Sequence, residues 1–265
     1  VTAPASFWTN EEPRLHLAGW DSEGPPVLLV HGMGAHTRWW DEVGEALAAA
    51  CRPVALDLSG HGDSGWRADG VYTGRGWARD IEDARHALGW ERFALVAHSL
   101  GARVALEYAA EHPERLSSLA VIDFLPEFKG GRFSTPRSVP QPYYDSEQAI
   151  LARFRLRPDA TALPPERVRE LGRASIKKAP RGWTWKYDFR AFHYAYEPIW
   201  PLLPRVKTRS LVVRGGLSKL MSEDALRRVA QGLGGAATAD IAGAHHHVSL
   251  DRPAQLADAI LRFLA

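Results

Sequence analysis

Four short runs in the first half of the chain are apolar at nearly every position: PPVLLVHG (25–32), RPVALDLSG (52–60), RFALVAHS (92–99) and LSSLAVIDF (116–124). A strand with one wet face alternates apolar and polar residues. Runs without alternation predict strands buried on both faces, as parallel sheets require. Between them, RWWDEVGEALAAAC, GRGWARDIEDARHALGW and GARVALEYAAEHPERL carry apolar residues at helical spacing. Strand and helix in alternation predict an α/β fold with a mostly parallel central sheet and helices on both faces. The opening SFWTNEEPRLHLAGWD supplies one or two antiparallel edge strands.

The rhythm stops after Asp123. From 127 to 205 there is no buried-strand pattern. A Gly/Pro-rich stretch is followed by two helix-like segments, 146–157 and 164–178, and by the aromatic run GWTWKYDFRAFHYAYEPIW. The stretch holds fifteen Lys and Arg against eight Asp and Glu, so it is basic within a chain of formal charge +2. It reads as a mainly helical cap inserted into a core made of residues 1–126 and 206–265. Strand RSLVVRGG, helix SEDALRRVAQGL, a short strand near ATADIAGA and the closing helix DRPAQLADAILRFLA then restore the pattern.

Composition narrows the function classes. Ten Trp, nine Phe and seven Tyr within a 45% hydrophobic chain argue against global disorder, and near-neutral charge against a dedicated nucleic-acid or membrane-surface binder. The single Cys51 allows no internal disulfide and no thiolate metal cluster. The N-terminal stretch shows neither a basic nor an apolar signal region, and no run approaches the ~18 apolar residues that span a bilayer. A cytoplasmic protein is therefore expected.

The sharpest chemical signal is ALVAHSLGARVAL, where Ser99 falls between a buried strand and a helix, with Ala97 two residues before it and Gly101 two after. This is the spacing of a nucleophile elbow, in which small flanking residues let helix and strand approach while the serine hydroxyl stands above the sheet edge. His31-Gly32-Met33-Gly34 follows an earlier strand, so the N–H groups of Met33 and Leu100 are candidates for an oxyanion hole. A base is expected late, in AGAHHHVSLDRP. His246 is favoured by its distance from the Asp251-Arg252-Pro253 helix start, with His245 one residue away. His31, His61 and His98 read as loop-bracing residues. A metal centre is not expected from the histidine run, because consecutive side chains do not converge on one ion.

The order HGMG, LDLSGHGDSG, VAHSLGAR and GAHHHVSLDRP resembles the α/β-hydrolase superfamily over nearly the whole chain. That resemblance implies a Ser-His-acid triad without cofactor, the acid usually following the strand that here is SLVVRGG. The loop beyond it offers Lys219, which cannot accept a hydrogen bond from an imidazole. Glu223 and Asp224 lie slightly further on, in an expected first helical turn. Asp123, at the end of AVIDF, is the preferred acid, since a carboxylate ending an apolar strand is costly without a specific partner. AVIDFLPEF and VVRGGLSKLMS together resemble the subgroup containing (E)-2-(acetamidomethylene)succinate hydrolase. Cofactor-free quinoline-ring dioxygenases share its acid placement.

The expectation is a serine hydrolase of an ester, lactone, amide or carbon–carbon bond next to a ketone. Alternatives are a cofactor-independent oxygenase of a hydroxylated heteroaromatic, using the His–Asp pair, and a non-catalytic small-molecule receptor. The basic, aromatic insertion suggests a small, aromatic or anionic substrate, with Arg153, Arg157, Trp183, Tyr187 and His247 as candidate contacts.

Overall fold

The computed structural model describes residues 4–126, 140–194 and 198–265. The insertion's expected start at 127 and most of its Gly/Pro-rich stretch lie outside them. Among the described residues, eight strands form one sheet. They are β1 (Ala5–Trp8), β2 (His16–Gly19), β3 (Pro26–Val30), β4 (Arg52–Leu56), β5 (Phe93–His98), β6 (Leu116–Ile122), β9 (Ser210–Gly215) and β10 (Ala237–Ile241). Their order is β1-β2-β4-β3-β5-β6-β9-β10. The strands from β4 to β10 run parallel, while β2 is antiparallel to both β1 and β4. The opening segment thus supplies both antiparallel edge strands.

Five helices cover the sheet: α1 (Asp41–Leu47), α2 (Gly74–Ala87), α3 (Leu100–Glu111), α6 (Glu223–Gly232) and α8 (Pro253–Leu264), with one-turn α7 (Val248–Asp251) leading into the last. The pleat explains why the strands are apolar throughout. On β5, Phe93, Leu95 and Ala97 pack with residues of α2, α3 and α6, whereas Ala94 and Val96 face those of α1 and α8. Both faces are dry, so neither register of alternation has a polar side.

Between β6 and β9 lie α4 (Glu147–Leu151), α5 (Pro165–Ala174) and an antiparallel hairpin of β7 (Ile176–Ala179) and β8 (Gly182–Trp185), none joined to the large sheet. The hairpin was not legible as strands because both are four residues long. The helical reading of 164–178 overruns it. Its turn, Pro180-Arg181, ends at Gly182 with φ +116°, a conformation that favours glycine. The other helical reading, 146–157, stops at Leu151. Arg157 precedes Pro158, and a residue before proline is steered away from helical geometry.

The insertion is tied to the core by buried polar bonds. Asp188 donates its N–H to Gly60 O and accepts from the Tyr72 hydroxyl, both at 2.8 Å, and Asp251 accepts the N–H of Ala162 at 2.8 Å. Within the core, the fully buried Trp77 ring packs α2 on the sheet and donates Nε1–H to Ser59 O at 3.0 Å, holding the loop after β4. Trp77→Ala is expected to cost about 3–5 kcal/mol. The check is a lower urea midpoint with unchanged slope; an unaltered midpoint would show that this packing does not support the sheet.

Candidate active site

The carboxyl ends of β3, β5 and β6 lie side by side in the sheet, so the loops after them open onto one edge. Ser99 occupies the turn between β5 and α3 with φ 55° and ψ −115°. A non-glycine residue in such a conformation costs about 1–3 kcal/mol and persists only where its surroundings enforce it. Here they do. Ser99 N–H is held by Ile122 O at 3.0 Å, and its carbonyl accepts from Ala102 N–H at 3.1 Å. A Cβ on Gly101 would come within 2.5 Å of His31 O, so only glycine lets α3 start this close to β3. A Cβ on Gly32 would lie 3.0 Å from Ser99 Cβ, which puts the Gly32-Met33 turn directly against the serine. Leu100 is the first residue of α3, where the N–H has no acceptor within the helix.

Three segments distant in sequence meet at this serine. Ser99 Oγ lies 3.1 Å from His246 Nε2, and His246 Nδ1 lies 2.8 Å from Asp123 Oδ1. His246 donates Nδ1–H to the carboxylate, which leaves Nε2 to accept from the hydroxyl. His246 is thus the member of the histidine run that faces the serine. His245 instead holds its backbone N–H on Asp251, at 2.7 Å, and His247 Nε2 donates to Pro158 O at 2.8 Å. His98, next to the serine, donates Nε2–H to His246 O at 2.8 Å and so pins the loop that carries the base. His31 spans Gly32 O and Leu58 N–H, and buried His61 stacks between His31 and Trp77.

Asp123 is fully buried and itself has φ 36°. Its Oδ2 accepts Gly215 N–H at 2.8 Å, and its Oδ1 accepts the Ser218 hydroxyl at 2.7 Å besides His246. Glu223 and Asp224 are exposed in the first turn of α6, where both pair with Arg227. Lys219 is exposed and makes no ion pair among the described residues. The residue of that loop that reaches the acid is Ser218. The sequence reading passed over it, because one serine among several carries no signal of its own.

Burial dominates the electrostatics. It pushes the Asp123 carboxyl up to about 7 against the pull of the Gly215 and Ser218 donors, and it pushes the His246 imidazole down to about 3, aided by neighbouring His247. His246 is therefore a neutral imidazole at neutral pH, the form a base requires.

The ring nitrogens of His98, His246 and His247 lie within 4.8 Å of one another, spacing that a metal ion can bridge. Of these, His98 Nε2, both nitrogens of His246 and His247 Nε2 already have protein partners; only His247 Nδ1 is buried without one. A metal would have to break the hydrogen-bonded line just described.

A cavity of about 620 Å³ begins at Met33 and Gly34 and is lined by Arg153, Arg157 and Tyr187. Trp183 and His247, also candidate contacts from sequence, are not among its lining. A second cavity, about 870 Å³, lies between α4 and α5, and none of Ser99, His246 or Asp123 lines it.

A family model described as the alpha/beta hydrolase fold matches residues 25–253. A fluoroacetate dehalogenase of a Burkholderia species is 37% identical over 109 residues, 40% of this chain and 36% of that protein, so the match spans about a third of the relative's length. An esterase of Mycobacterium tuberculosis is 26% identical over 258 residues, covering 91% of this chain and 83% of the esterase. The crystal structure of (E)-2-(acetamidomethylene)succinate hydrolase superposes with a TM-score of 0.82 at 22% identity, over 98% of this chain and 99% of that one, a likeness of fold. No helix among the described residues is long and apolar enough to cross a membrane.

The Ser218 hydroxyl stabilises the ionised form of Asp123, so Ser218→Ala is expected to raise the pH at which that carboxyl takes up its proton. The His246 Nδ1–H resonance, followed by NMR through a pH titration, reads this directly. A titration identical to that of the unaltered chain would mean that the 2.7 Å contact carries no weight.

Proposed function

This chain belongs to the α/β hydrolase family, and we propose that within it the chain is a serine hydrolase, cleaving a carbonyl-containing small molecule through an acyl-enzyme. One observation carries the reading: an unbroken line from Ser99 Oγ through His246 to Asp123, with contacts of 3.1 and 2.8 Å. In this scheme the Ser99 hydroxyl attacks the carbonyl carbon while His246 Nε2 takes its proton. The carboxylate of Asp123 holds the ring in the required tautomer and balances the charge of the imidazolium as it forms. The Leu100 and Met33 N–H groups receive the oxyanion; one such donor typically lowers the barrier by about 3 kcal/mol.

As the tetrahedral intermediate collapses, His246 passes the proton to the leaving group. Water, deprotonated by the same nitrogen, then releases the acyl group and restores the serine. The scissile bond is that of an ester, lactone or amide, or a carbon–carbon bond next to a ketone. Ester cleavage draws support from the mycobacterial esterase, whose similarity runs through 91% of this chain.

The strained turn at Ser99 favours this reading over a cofactor-independent oxygenase, in which the His–Asp pair alone would abstract a proton and the serine would be dispensable. Strain at a residue with no task is a cost without return.

Ser99→Ala is expected to lower kcat on p-nitrophenyl esters by about four orders of magnitude or more, and to abolish labelling by a fluorophosphonate. Near-normal turnover in that variant would refute the scheme. Asp123→Asn is expected to lose roughly 10³–10⁴-fold, with Glu223→Gln and Asp224→Asn close to the unaltered chain; the opposite ranking would move the acid to α6. On acidification the coupled His246–Asp123 pair takes up a proton, burial having raised the carboxyl to about 7 and lowered the imidazole. The profile of kcat/KM against pH should thus be level above about 7 and fall below it.

A further inference from the structure

The cavity beside the nucleophile has a chemistry that narrows the substrate, an inference that rests on the hydrolase reading. One wall is a ladder of rings. Trp185 stacks on Tyr187 at 5.9 Å and 10°, and Tyr187 on Phe189 at 5.4 Å and 14°. The segment leaving β8 thus lines its side of the cavity with three nearly parallel rings, each stacked on the next.

The other wall is cationic. Arg153, Arg155 and Arg157 alternate with Phe154 and Leu156, which pack inward against Trp185 and Trp39 respectively. All three arginines are among the residues that line the same cavity, and no Asp or Glu is among its described lining residues. Arg155 donates Nη1–H to Ala152 O and Phe154 O at 3.2 and 2.6 Å. Arg153 and Arg157 form no ion pair with any described residue. Arg167, beside another cavity, is by contrast neutralised by Glu42 and Glu170 at 2.8 and 2.7 Å. Arg153, Arg155 and Arg157 are exposed, and a carboxylate or phosphate that bridges two guanidinium groups gains charge-assisted hydrogen bonds to both.

None of Ser99, His246 and Asp123 lines the cavity, but Met33 and Gly34 do, and they belong to the turn packed against the serine. At one end of the Gly32–Gly34 turn, a Cβ on Gly32 would lie 3.5 Å from Ser99 Oγ; at the other, a Cβ on Gly34 would lie 3.2 Å from the Phe192 ring and 3.8 Å from that of Tyr187. A molecule resting on the ring ladder is therefore within a few atoms of the serine.

We propose that the substrate carries a planar aromatic or conjugated group, which packs against the Trp185–Tyr187–Phe189 ladder, and an anionic oxygen group held by Arg153 and Arg157. Carboxylate and phosphate monoester share the chemistry that guanidinium recognises, so both belong in the test.

The experiment compares 4-acetoxybenzoate, 4-acetoxyphenyl phosphate and 4-methylphenyl acetate, each kcat/KM divided by the ester's own hydroxide-catalysed rate. At least one anionic ester is expected to exceed the neutral one about tenfold or more, chiefly through a lower KM. The advantage should shrink as salt is added and fall about tenfold in the Arg153→Gln/Arg157→Gln double variant. Arg79→Gln/Arg227→Gln, an equal loss of charge at exposed positions of α2 and α6, should leave the advantage intact. Which anion gains more identifies the group. Equal normalised rates for all three esters, or an advantage that survives the double variant with its thermal midpoint unchanged, would overturn the proposal. Fluorophosphonate labelling of Ser99 in the unaltered chain separates the two levels. Labelling together with equal rates sinks only the anionic substrate, and absence of labelling sinks the hydrolase reading beneath it.

Discussion

A carboxylate with no exposure to water stands at the end of β6, and the arrangement of the site follows from the need to satisfy it. Leaving such a group unpaired costs several kcal/mol. Asp123 instead accepts three hydrogen bonds, from Gly215 N–H at the end of β9, from the Ser218 hydroxyl in the next loop and from His246 Nδ1 after β10. One charge thus gathers the ends of three strands, and the ring it orients is the one that faces Ser99. Burial acts on both partners of the pair, raising the acid and lowering the base. The same desolvation that makes the site expensive keeps the imidazole neutral and able to take a proton.

The second constraint is steric. Ser99 is held in a left-handed turn by the close approach of α3 to β3, and that approach exists because Gly101 has no side chain to meet His31 O. His98 contributes from the same turn by bonding the carbonyl of His246, so Ser99 and His246 are braced against each other through main chain as well as through Oγ and Nε2. A site assembled from strand ends and tight turns of a doubly covered sheet needs little further ordering when a substrate arrives. The segment between β6 and β9 supplies its hairpin and Arg-rich loop to the walls of the adjoining cavity without joining the sheet.

Much of this was legible in the chain itself. Dry parallel strands announce themselves because both faces must be apolar, and each of the four early runs became one. The elbow was legible because its small residues stand at set distances from Ser99. Asp123 was marked by the cost of a charge ending an apolar strand. The short hairpin was not legible, since four-residue strands carry too few positions for a period to show. Nor was the end of α4, since the helical spacing of Phe154 and Leu156 continues beyond it. Among the cationic and aromatic residues of the insertion, sequence offered Trp183 and Tyr187 alike, but only the second lines the cavity.

Local sequence, then, determined the parts: which runs become buried strands, where the chain must turn sharply, and which residue types are able to do chemistry. Their pairing was decided only by tertiary structure. The loop after β9 offered Lys219, Glu223 and Asp224, and the histidine run offered three rings. His246 and Asp123 are 123 residues apart, Ser99 and His246 147, and Ser218 and Asp123 95. Spacing along the chain is silent at such separations, because hydrogen bonds select partners by distance and direction at the ångström scale. Those are set by the order in which the strands lie in the sheet.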